Sequence, residues 1–504
     1  MSDSCGNPAT ETEALMPRRR KFDKTKICVK CKTNPGSLII RHAVYCKECF
    51  VPLTTHKFRR SLEPFVNAKP DGPRRTALKP QGNLLVGFSG GLGSTVLLDL
   101  VHRYYVVPDK ALIQDDGGSH HPRHERVWKR VVVGYVEVCD AFPSMVERMS
   151  DVRAIMEGYG GFEFVPLRIQ DAFDPCWWKK IGRDPVNLGV DMTDEALKLL
   201  RLEESTSPLE AMRSYMASLP TTTARSTALQ TLTRVLLQYT AQANDCSHLV
   251  LGTSLTSLAV SLISGVAHGG GFHVREEMQE EWTADQSSDR EVDVAKKATK
   301  RHGLRIIRPL RDVGMKECGA WSWWMGLKVV GRENWEWPGF KPGIGALTKA
   351  FIVGLEKDYP STVSTIVRTC GKLSPKGIVE GKCISCERPI QSGIQDWQAR
   401  ISIRSRHNGD EQAPFEEVAE SLSPFLCYPC RITLTSRSTR PILNPFPNSN
   451  HDVSLTPLPM WTGRVLHPPK TSGSEEGDAE IVVGRTLARS EMKNAVKEFL
   501  LQDE

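Results

Sequence analysis

LLVGFSGGLGSTVLLDL, residues 84–100, is the stretch that decides the fold of this chain. Its apolar residues lead into a glycine-rich turn and then resume at helical spacing, which predicts a strand, a tight loop and a helix. Glycines let the backbone approach a ligand closely, and the first amides of a helix favour a bound phosphate. An ordinary Gly-Ser turn is the alternative. The loop residues that could contact a nucleotide are Ser89, Gly90, Gly91, Gly93, Ser94 and Thr95.

Further apolar runs follow this loop, and each of them predicts a buried strand. Helix-compatible segments separate the runs, a pattern typical of an α/β fold in which helices cover both faces of a parallel sheet. Such sheets bind ligands at the carboxyl ends of the strands, where the loop would lie. The predicted strands are residues 131–138, 162–169, 248–252 and 304–309. Inserts are predicted near residues 109–129, 191–240 and 273–301, the second with two or three helices broken at Pro220.

The net charge of +7 hides a strongly basic segment near the start of the sequence. Residues 17–80 carry 17 lysines and arginines against 4 acidic residues. Such a local excess is typical of a nucleic-acid contact, with a solvated or disordered basic arm as the alternative. Phe58 would either stack on an unpaired RNA base or pack inwards. The predicted RNA-binding residues are Arg18, Arg19, Arg20, Lys21, Lys57, Arg59, Arg60, Arg74 and Arg75.

Four Cys-x-x-Cys pairs predict two metal sites. Each pair can present two thiolates from one turn, and two pairs complete a tetrahedral zinc site. An iron–sulfur cluster or a redox pair is the alternative to structural zinc. The predicted zinc ligands are Cys28, Cys31, Cys46 and Cys49 in the first site, and Cys383, Cys386, Cys427 and Cys430 in the second. Five other cysteines are expected to be small core residues, namely Cys139, Cys176, Cys246, Cys318 and Cys370.

These patterns divide the chain into predicted segments. They are a disordered tail (1–16), a basic N-terminal zinc module (17–80), the α/β domain (81–370), a C-terminal zinc ribbon (371–445), a Pro- and Ser-rich linker (446–489) and an amphipathic C-terminal helix (490–504). No apolar run is long enough to cross a membrane, and the first residues lack the apolar core of a signal peptide. We therefore expect a cytoplasmic protein. A tryptophan-rich stretch, residues 321–337, indicates either a packed core or an interaction surface.

Two motifs resemble those of the ATP-pyrophosphatase superfamily, whose members adenylate a substrate oxygen. SGGLGST, residues 89–95, resembles its pyrophosphate loop Ser-Gly-Gly-x-Asp-Ser, with Gly93 where active members carry an aspartate that serves magnesium and the triphosphate. Residues 249–259 resemble a segment that reads Gly-His-Asn-x-Asp-Asp-x-Ala in thiolating members. Gly252 matches this segment as a further nucleotide-contacting position, but Thr256 and Ser257 replace the acidic pair. Neutral hydroxyls cannot replace carboxylates beside a metal ion, which argues against ATP and magnesium binding in this chain.

The order of these modules is similar to the cytoplasmic tRNA 2-thiolation protein 2 family, over roughly residues 17–445. The resemblance implies a subunit of the complex that makes 2-thiouridine at the wobble position of the lysine, glutamine and glutamate tRNAs. It implies three partners, which are tRNA, a homologous catalytic subunit in a heterodimer, and a ubiquitin-like sulfur carrier that arrives as a thiocarboxylate. It also suggests a link to protein conjugation of that carrier. Because the acidic residues are missing, no catalytic residue is predicted in this chain.

Two other functions fit the same residues. The chain could be a self-sufficient ATP-dependent tRNA sulfurtransferase that takes its acidic ligands from elsewhere, for example Asp99 or Asp140. It could instead be a zinc scaffold for the carrier and its protein targets that binds no RNA. Salt-dependent tRNA binding would argue against that scaffold.

Overall fold

The computed structural model describes residues 26–66, 82–106, 127–142, 145–192, 197–202, 206–282, 303–331, 342–373, 379–394, 404–406, 421–436, 455–466 and 484–486. The chain divides into two units, residues 1–56 and 57–504. The predicted tail at 1–16 and the predicted C-terminal helix at 490–504 lie outside the described residues, as do most of the predicted inserts at 109–129 and 273–301.

The strands and helices have the following bounds. The strands are β1 (Leu38–Ile40), β2 (Ala43–Tyr45), β3 (Asn83–Phe88), β4 (Val131–Glu137), β5 (Glu163–Arg168), β6 (Leu188–Val190), β7 (Leu199–Arg201), β8 (Cys246–Leu251), β9 (Glu280–Trp282), β10 (Leu304–Ile307), β11 (Val379–Lys382), β12 (Pro389–Gln391), β13 (Arg404–Arg406), β14 (Thr456–Pro457) and β15 (Gly484–Thr486). The α-helices are α1 (Lys47–Val66), α2 (Leu92–Val101), α3 (Met149–Glu157), α4 (Pro175–Lys180), α5 (Pro208–Ser218), α6 (Thr222–Ala243), α7 (Leu255–Ala267), α8 (Val274–Met278), α9 (Met315–Met325), α10 (Ile344–Asp358), α11 (Pro360–Cys370) and α12 (Tyr428–Thr435).

The central sheet has six strands in the order β5-β4-β3-β8-β10-β9. The first five are parallel to one another, and β9 pairs antiparallel with β10 at the edge. The predicted strands at residues 84–88, 131–138, 162–169, 248–252 and 304–309 are thereby confirmed, as is the α/β fold class. The edge strand β9 was not predicted, because three residues are too few to show a sequence period.

Both faces of β3 are buried, which explains its unbroken apolar sequence. Leu85 belongs to the same core cluster as Leu236 of α6, so Leu84 and Val86, equally buried, face the opposite side of the sheet. Helix α2 returns beside β3 immediately after the loop. The carboxyl edge of the sheet therefore has the loop at its centre, with β4 on one side and β8 on the other.

A pair of facing glycines lets α6 lie close to the sheet. Gly87 of β3 and Gly134 of β4 are register partners. A Cβ added at Gly134 would lie 2.9 Å from a methyl carbon of Leu237 in α6, and one added at Gly87 would lie 3.4 Å from the other methyl carbon of Leu237. Side chains at these positions would push the helix outward, so the glycines set the distance between α6 and the strands.

The insert predicted at 191–240 contains α5 and most of α6, which meet at the predicted break near Pro220. Ser207 and Thr221 begin the two helices by accepting hydrogen bonds from the amides of Glu210 and Ala224. The short strands β6 and β7 near this insert were not predicted, and they pair with β14.

Part of the predicted linker at 446–489 differs from the prediction. Residues 455–463 carry β14 and a buried apolar group in which Trp461 is fully enclosed and its indole N–H donates to the Ser385 carbonyl at 3.1 Å. A Pro- and Ser-rich composition indicates a linker only when no apolar residues find a core, and here Leu458, Met460 and Trp461 do. Among the described helices, none combines the length and apolar composition needed to span a lipid bilayer.

His248 in β8 is buried and is held in its neutral form. Its Nδ1 lies 2.7 Å from the Ser247 hydroxyl and 3.4 Å from the Trp128 indole nitrogen, and its Nε2 lies 3.2 Å from the Phe65 carbonyl. The tautomer with a proton on Nε2 satisfies all of these partners. Burial, together with the nearby Arg305 charge, lowers the pKa of His248 to about 4.

We predict that His248 makes the stability of the protein sensitive to mild acid. Because its folded-state pKa is lowered, its neutral form contributes fully above the unfolded-state value, about 6.5, and the contribution is lost as the pH falls towards 4. The free energy of unfolding should fall over this range by up to about 3 kcal/mol more in the wild type than in His248→Gln, which takes up no proton. Urea unfolding followed by tryptophan fluorescence at several pH values measures the difference. Identical pH profiles would show that His248 is not held neutral.

Candidate functional site

The predicted nucleotide loop lies between β3 and α2, and its hydroxyl groups are used within the loop itself. Ser94 and Thr95 donate to the Gly91 carbonyl at 2.9 and 3.0 Å, and the Ser89 amide donates to the Ser94 hydroxyl at 3.2 Å. Gly90 has a φ of +72°, which only glycine adopts without strain. The predicted turn between strand and helix is therefore present, but the hydroxyl groups of the loop form hydrogen bonds within the turn.

The second motif contacts the loop through backbone alone. A Cβ built on Gly93 would lie 2.1 Å from the Gly252 carbonyl oxygen, and one built on Gly252 would lie 2.5 Å from the amide nitrogen and Cα of Ser94. The structure thus brings together two of the predicted positions that are far apart in sequence. An aspartate at position 93 cannot be accommodated without moving the end of β8 or the start of α2.

A short segment from beyond the last sheet strand covers the loop. We call residues 328–331 the loop strap. The Gly331 amide donates to the Gly90 carbonyl at 3.2 Å, and Val330 lies 3.3 Å from where a Cβ of Gly90 would be. The Arg148 guanidinium donates to the carbonyls of Val330 and Gly331, the latter at 3.0 Å. The strap lies within the tryptophan-rich stretch 321–337, but no sequence signal indicated that this part of it would contact the loop.

The end of β4 holds Arg148 in place through a buried carboxylate. Glu137 is 2% exposed and accepts hydrogen bonds from the amides of Val138, Cys139 and Arg148 at 2.9, 3.2 and 2.8 Å. The Glu137 carboxylate is therefore occupied by hydrogen bonds from three backbone amides. It fixes the turn that carries Arg148 towards the strap.

The two aspartates considered as alternative metal ligands have other partners. Asp99 is buried, accepts from the Trp321 indole at 2.8 Å and accepts from the Arg103 guanidinium at 2.9 Å. Asp140 accepts from Arg168 at 3.3 Å. Each carboxylate therefore already faces a donor of the chain.

The hydroxyls that replace the acidic pair serve the helices around them. Thr256 donates to Glu356 at 2.8 Å and accepts from the Met315 amide at 3.0 Å, which joins α7 to α9 and α10. Ser257 lies 3.0 Å from the Ser254 hydroxyl, which caps α7 by accepting from the Ser257 amide. These residues are structural in this fold.

Two four-cysteine groups are arranged as metal sites. Within each predicted group the four sulfur atoms lie within 4.8 Å of one another. The Sγ–Sγ distance is 3.8 Å between Cys31 and Cys46, and 3.6 Å between Cys386 and Cys427. Hydrogen bonds from Thr33 and Asn34 lower the pKa of the Cys31 thiol to about 6, which favours the thiolate that metals bind. All eight predicted cysteines are thus brought together in the two sets predicted.

Comparison with known proteins shows similarity to one family. A model of the family described as cytoplasmic tRNA 2-thiolation protein 2 matches residues 343–432. Proteins of that name from Danio rerio, Phaeosphaeria nodorum and Homo sapiens are each 25% identical to this chain, over 477, 442 and 397 residues. These alignments cover 83%, 84% and 74% of this chain, and 89%, 99% and 72% of the respective relatives. The chain is similar to members of the cytoplasmic tRNA 2-thiolation protein 2 family over most of its length.

A solved structure is also similar to this chain. It is the U34-tRNA thiolase NcsA from Methanococcus maripaludis with its 4Fe–4S cluster, at a TM-score of 0.42 and 16% identity, and the match covers 77% of this chain and 98% of that chain. A TM-score at this level does not define a shared fold.

Among the described cysteines outside the two groups, Cys139 is not poised as a nucleophile. Burial and the carboxylates of Glu137, Asp140 and Glu147 raise the pKa of Cys139 to about 12. Cys246 and Cys318 are buried, as predicted for small core residues, whereas Cys176 is exposed. A thiol needs an electropositive, accessible surrounding to react, and Cys139, at the end of β4, lacks it.

The predicted RNA-binding residues differ in whether their charges are already paired within the chain. Lys57 pairs with Glu317, and Arg59 pairs with Glu63 on the same helix. Arg60 is exposed and has no ion-pair partner among the described residues. Phe58 is fully buried against Tyr105, which decides between stacking and inward packing in favour of the core. Arg18, Arg19, Arg20, Lys21, Arg74 and Arg75 lie outside the described residues.

We predict that Gly93→Ala destabilises the protein, although alanine favours helices. The added Cβ would meet the Gly252 carbonyl at 2.1 Å, so the free energy of unfolding should fall by about 2 kcal/mol or more. Gly91→Ala is the matched control, because its Cβ would meet only the Ser89 hydroxyl at 3.5 Å, and it should cost less than about 1 kcal/mol. Urea unfolding of the three proteins tests this. A Gly93→Ala protein as stable as the wild type would contradict the backbone contact.

Proposed function

We propose that this chain is a non-catalytic subunit of the cytoplasmic machinery that 2-thiolates the wobble uridine of the lysine, glutamine and glutamate tRNAs. Its similarity to the cytoplasmic tRNA 2-thiolation protein 2 family supports the pathway. One observation supports the non-catalytic role above all, which is the contact of Gly93 with Gly252. This contact leaves no space for the aspartate that an active pyrophosphate loop carries at this position.

The loop does not suit a magnesium–triphosphate group. Its hydroxyls are bonded within the turn, the Gly90 carbonyl is bonded to the strap, and Val330 lies over Gly90. Magnesium requires hard oxygen ligands, and the nearby carboxylates of Asp99 and Glu137 are committed to donors of the chain. We therefore assign no step through ATP to this chain.

The chemistry then belongs to a homologous catalytic subunit, with which we propose that this chain forms a heterodimer. That subunit would adenylate the uridine 2-oxygen and replace AMP by sulfur delivered by a thiocarboxylated ubiquitin-like carrier. This chain would bind and shape the tRNA. Its predicted basic segment, whose exposed described residues include Lys30, Lys47 and Arg60, supplies the positive charge that phosphates require. A link to protein conjugation of the carrier remains part of the same proposal.

We further propose that both four-cysteine groups hold zinc. Sulfur ligands at about 2.3 Å from a tetrahedral zinc ion lie about 3.8 Å apart. The distances of 3.8 and 3.6 Å match that geometry. A four-iron cluster would hold its cysteine sulfurs further apart, because iron and sulfide ions lie between them.

We predict that the purified full-length chain, supplied with tRNA, ATP, magnesium and a sulfide source, neither releases pyrophosphate nor thiolates tRNA. Addition of the homologous catalytic subunit should restore thiolation. Asp140→Asn should leave the activity of the heterodimer unchanged, since Asp140 serves only its ion pair with Arg168. Robust thiolation by the isolated chain, abolished by Asp140→Asn, would instead establish the self-sufficient sulfurtransferase.

We predict two zinc ions per chain by elemental analysis of the purified protein. Cys386→Ser should reduce this to about one and destabilise the second site, because a three-thiolate site binds zinc more weakly. Cys176→Ser is the matched control, since Cys176 is exposed and belongs to neither group, and it should retain two. Iron and acid-labile sulfide in place of zinc would overturn the assignment.

A further inference from the structure

Two of the three tryptophans of helix α9 lie in opposite environments, and the third, Trp324, is half-buried. Trp321 is 1% exposed and donates to Asp99 of α2, whereas Trp323 is 83% exposed. The hydrogen bond of Trp321 joins α9 to α2. Trp323 is therefore carried by a helix that is packed against the core. The tryptophan-rich stretch was predicted to be either core or interaction surface, and these two residues divide between the two roles.

The space beside Trp323 is open on its own helix. Gly319 lies one turn earlier on the same face, and a Cβ added there would meet no atom within 4 Å. Side chains of a helix lean towards its N-terminus, so the side of Trp323 that faces Gly319 has no neighbouring side chain at that position. A flat group could therefore lie against the ring without displacing any side chain.

The charges around Trp323 favour a polyanion. Lys316 is exposed on the same face, two turns earlier, and Lys328 is exposed just after the helix ends. Neither lysine has an ion-pair partner among the described residues. The only acid near this face on α9 is Glu317, and it is already paired with Lys57.

A protein partner would fit this face less well than RNA. An apolar interface needs several neighbouring apolar side chains, as on α10, where Ile344, Leu347 and Phe351 are exposed together. The neighbours of Trp323 on its face are Lys316, Gly319 and Ala320. A single aromatic plane flanked by cations is the arrangement on which proteins stack unpaired nucleobases.

We propose that Trp323 stacks on an unpaired base of tRNA while Lys316 and Lys328 contact the flanking phosphates. This inference rests on the proposed tRNA-binding function and assigns that function a surface. It adds a base contact that the basic segment near the start of the chain does not supply. Trp323 was not among the residues predicted to bind RNA.

The test measures binding of a lysine tRNA transcript to the full-length, zinc-loaded chain across a series of salt concentrations. Trp323→Ala should weaken binding about tenfold with an unchanged salt dependence, because stacking is not ionic. Lys316→Ala should weaken binding and lower the slope of log affinity against log salt by about one. Trp323→Phe should retain most of the affinity. Phe351→Ala, which removes an exposed aromatic from α10, is the matched control and should bind like the wild type.

The outcomes separate this inference from the function on which it rests. If the wild type shows no salt-dependent tRNA binding, the proposed RNA role fails and the stacking role fails with it. If the wild type binds and Trp323→Ala binds equally well, only the stacking role is overturned. If Trp323→Ala keeps its tRNA affinity but loses the catalytic subunit in a co-purification, the face is a protein contact. An unchanged unfolding midpoint is expected for Trp323→Ala, since its side chain is exposed.

Discussion

The structure depends on a close backbone contact between Gly93, after β3, and Gly252, after β8. Both residues must lack a side chain, because a Cβ on either one would overlap backbone atoms of the other segment. The contact fixes the start of α2 against the start of α7, and these two helices in turn contact α9. The carboxyl edge of the sheet, where an α/β protein normally binds its ligand, is therefore closed by the chain itself.

The polar groups at this edge also bond to other parts of the chain. Glu137 satisfies three backbone amides, Arg148 satisfies two strap carbonyls, and Asp99 joins α2 to α9 through Trp321. Buried polar groups are costly without partners, so each of these bonds stabilises the closed arrangement. Hydroxyls in place of carboxylates avoid burying unpaired negative charge beside one another.

The second four-cysteine group is joined to the α/β core by more than its own loops. Glu387, next to Cys386, accepts from Tyr239 of α6 at 2.9 Å and from Trp282 of β9 at 3.3 Å. Arg234 of α6 donates to the Cys386 carbonyl and pairs with Glu280. A metal bound at these cysteines would order residues that also line the core, so metal binding and the stability of the sheet are coupled.

The sequence by itself determined the strands of the parallel sheet, the loop contour and the two sets of cysteines. These features have local signals, because continuous apolar runs, clustered glycines and paired cysteines follow from what one segment must do. Only the tertiary structure decided that Phe58 is buried, that Lys57 is engaged with Glu317, that residues 455–463 belong to a core, and that the strap covers the loop. It also decided that one tryptophan of α9 is enclosed and another exposed. Each of these outcomes depends on which distant segment supplies the neighbour, and the free energy of burial or pairing belongs to the contact rather than to either segment alone.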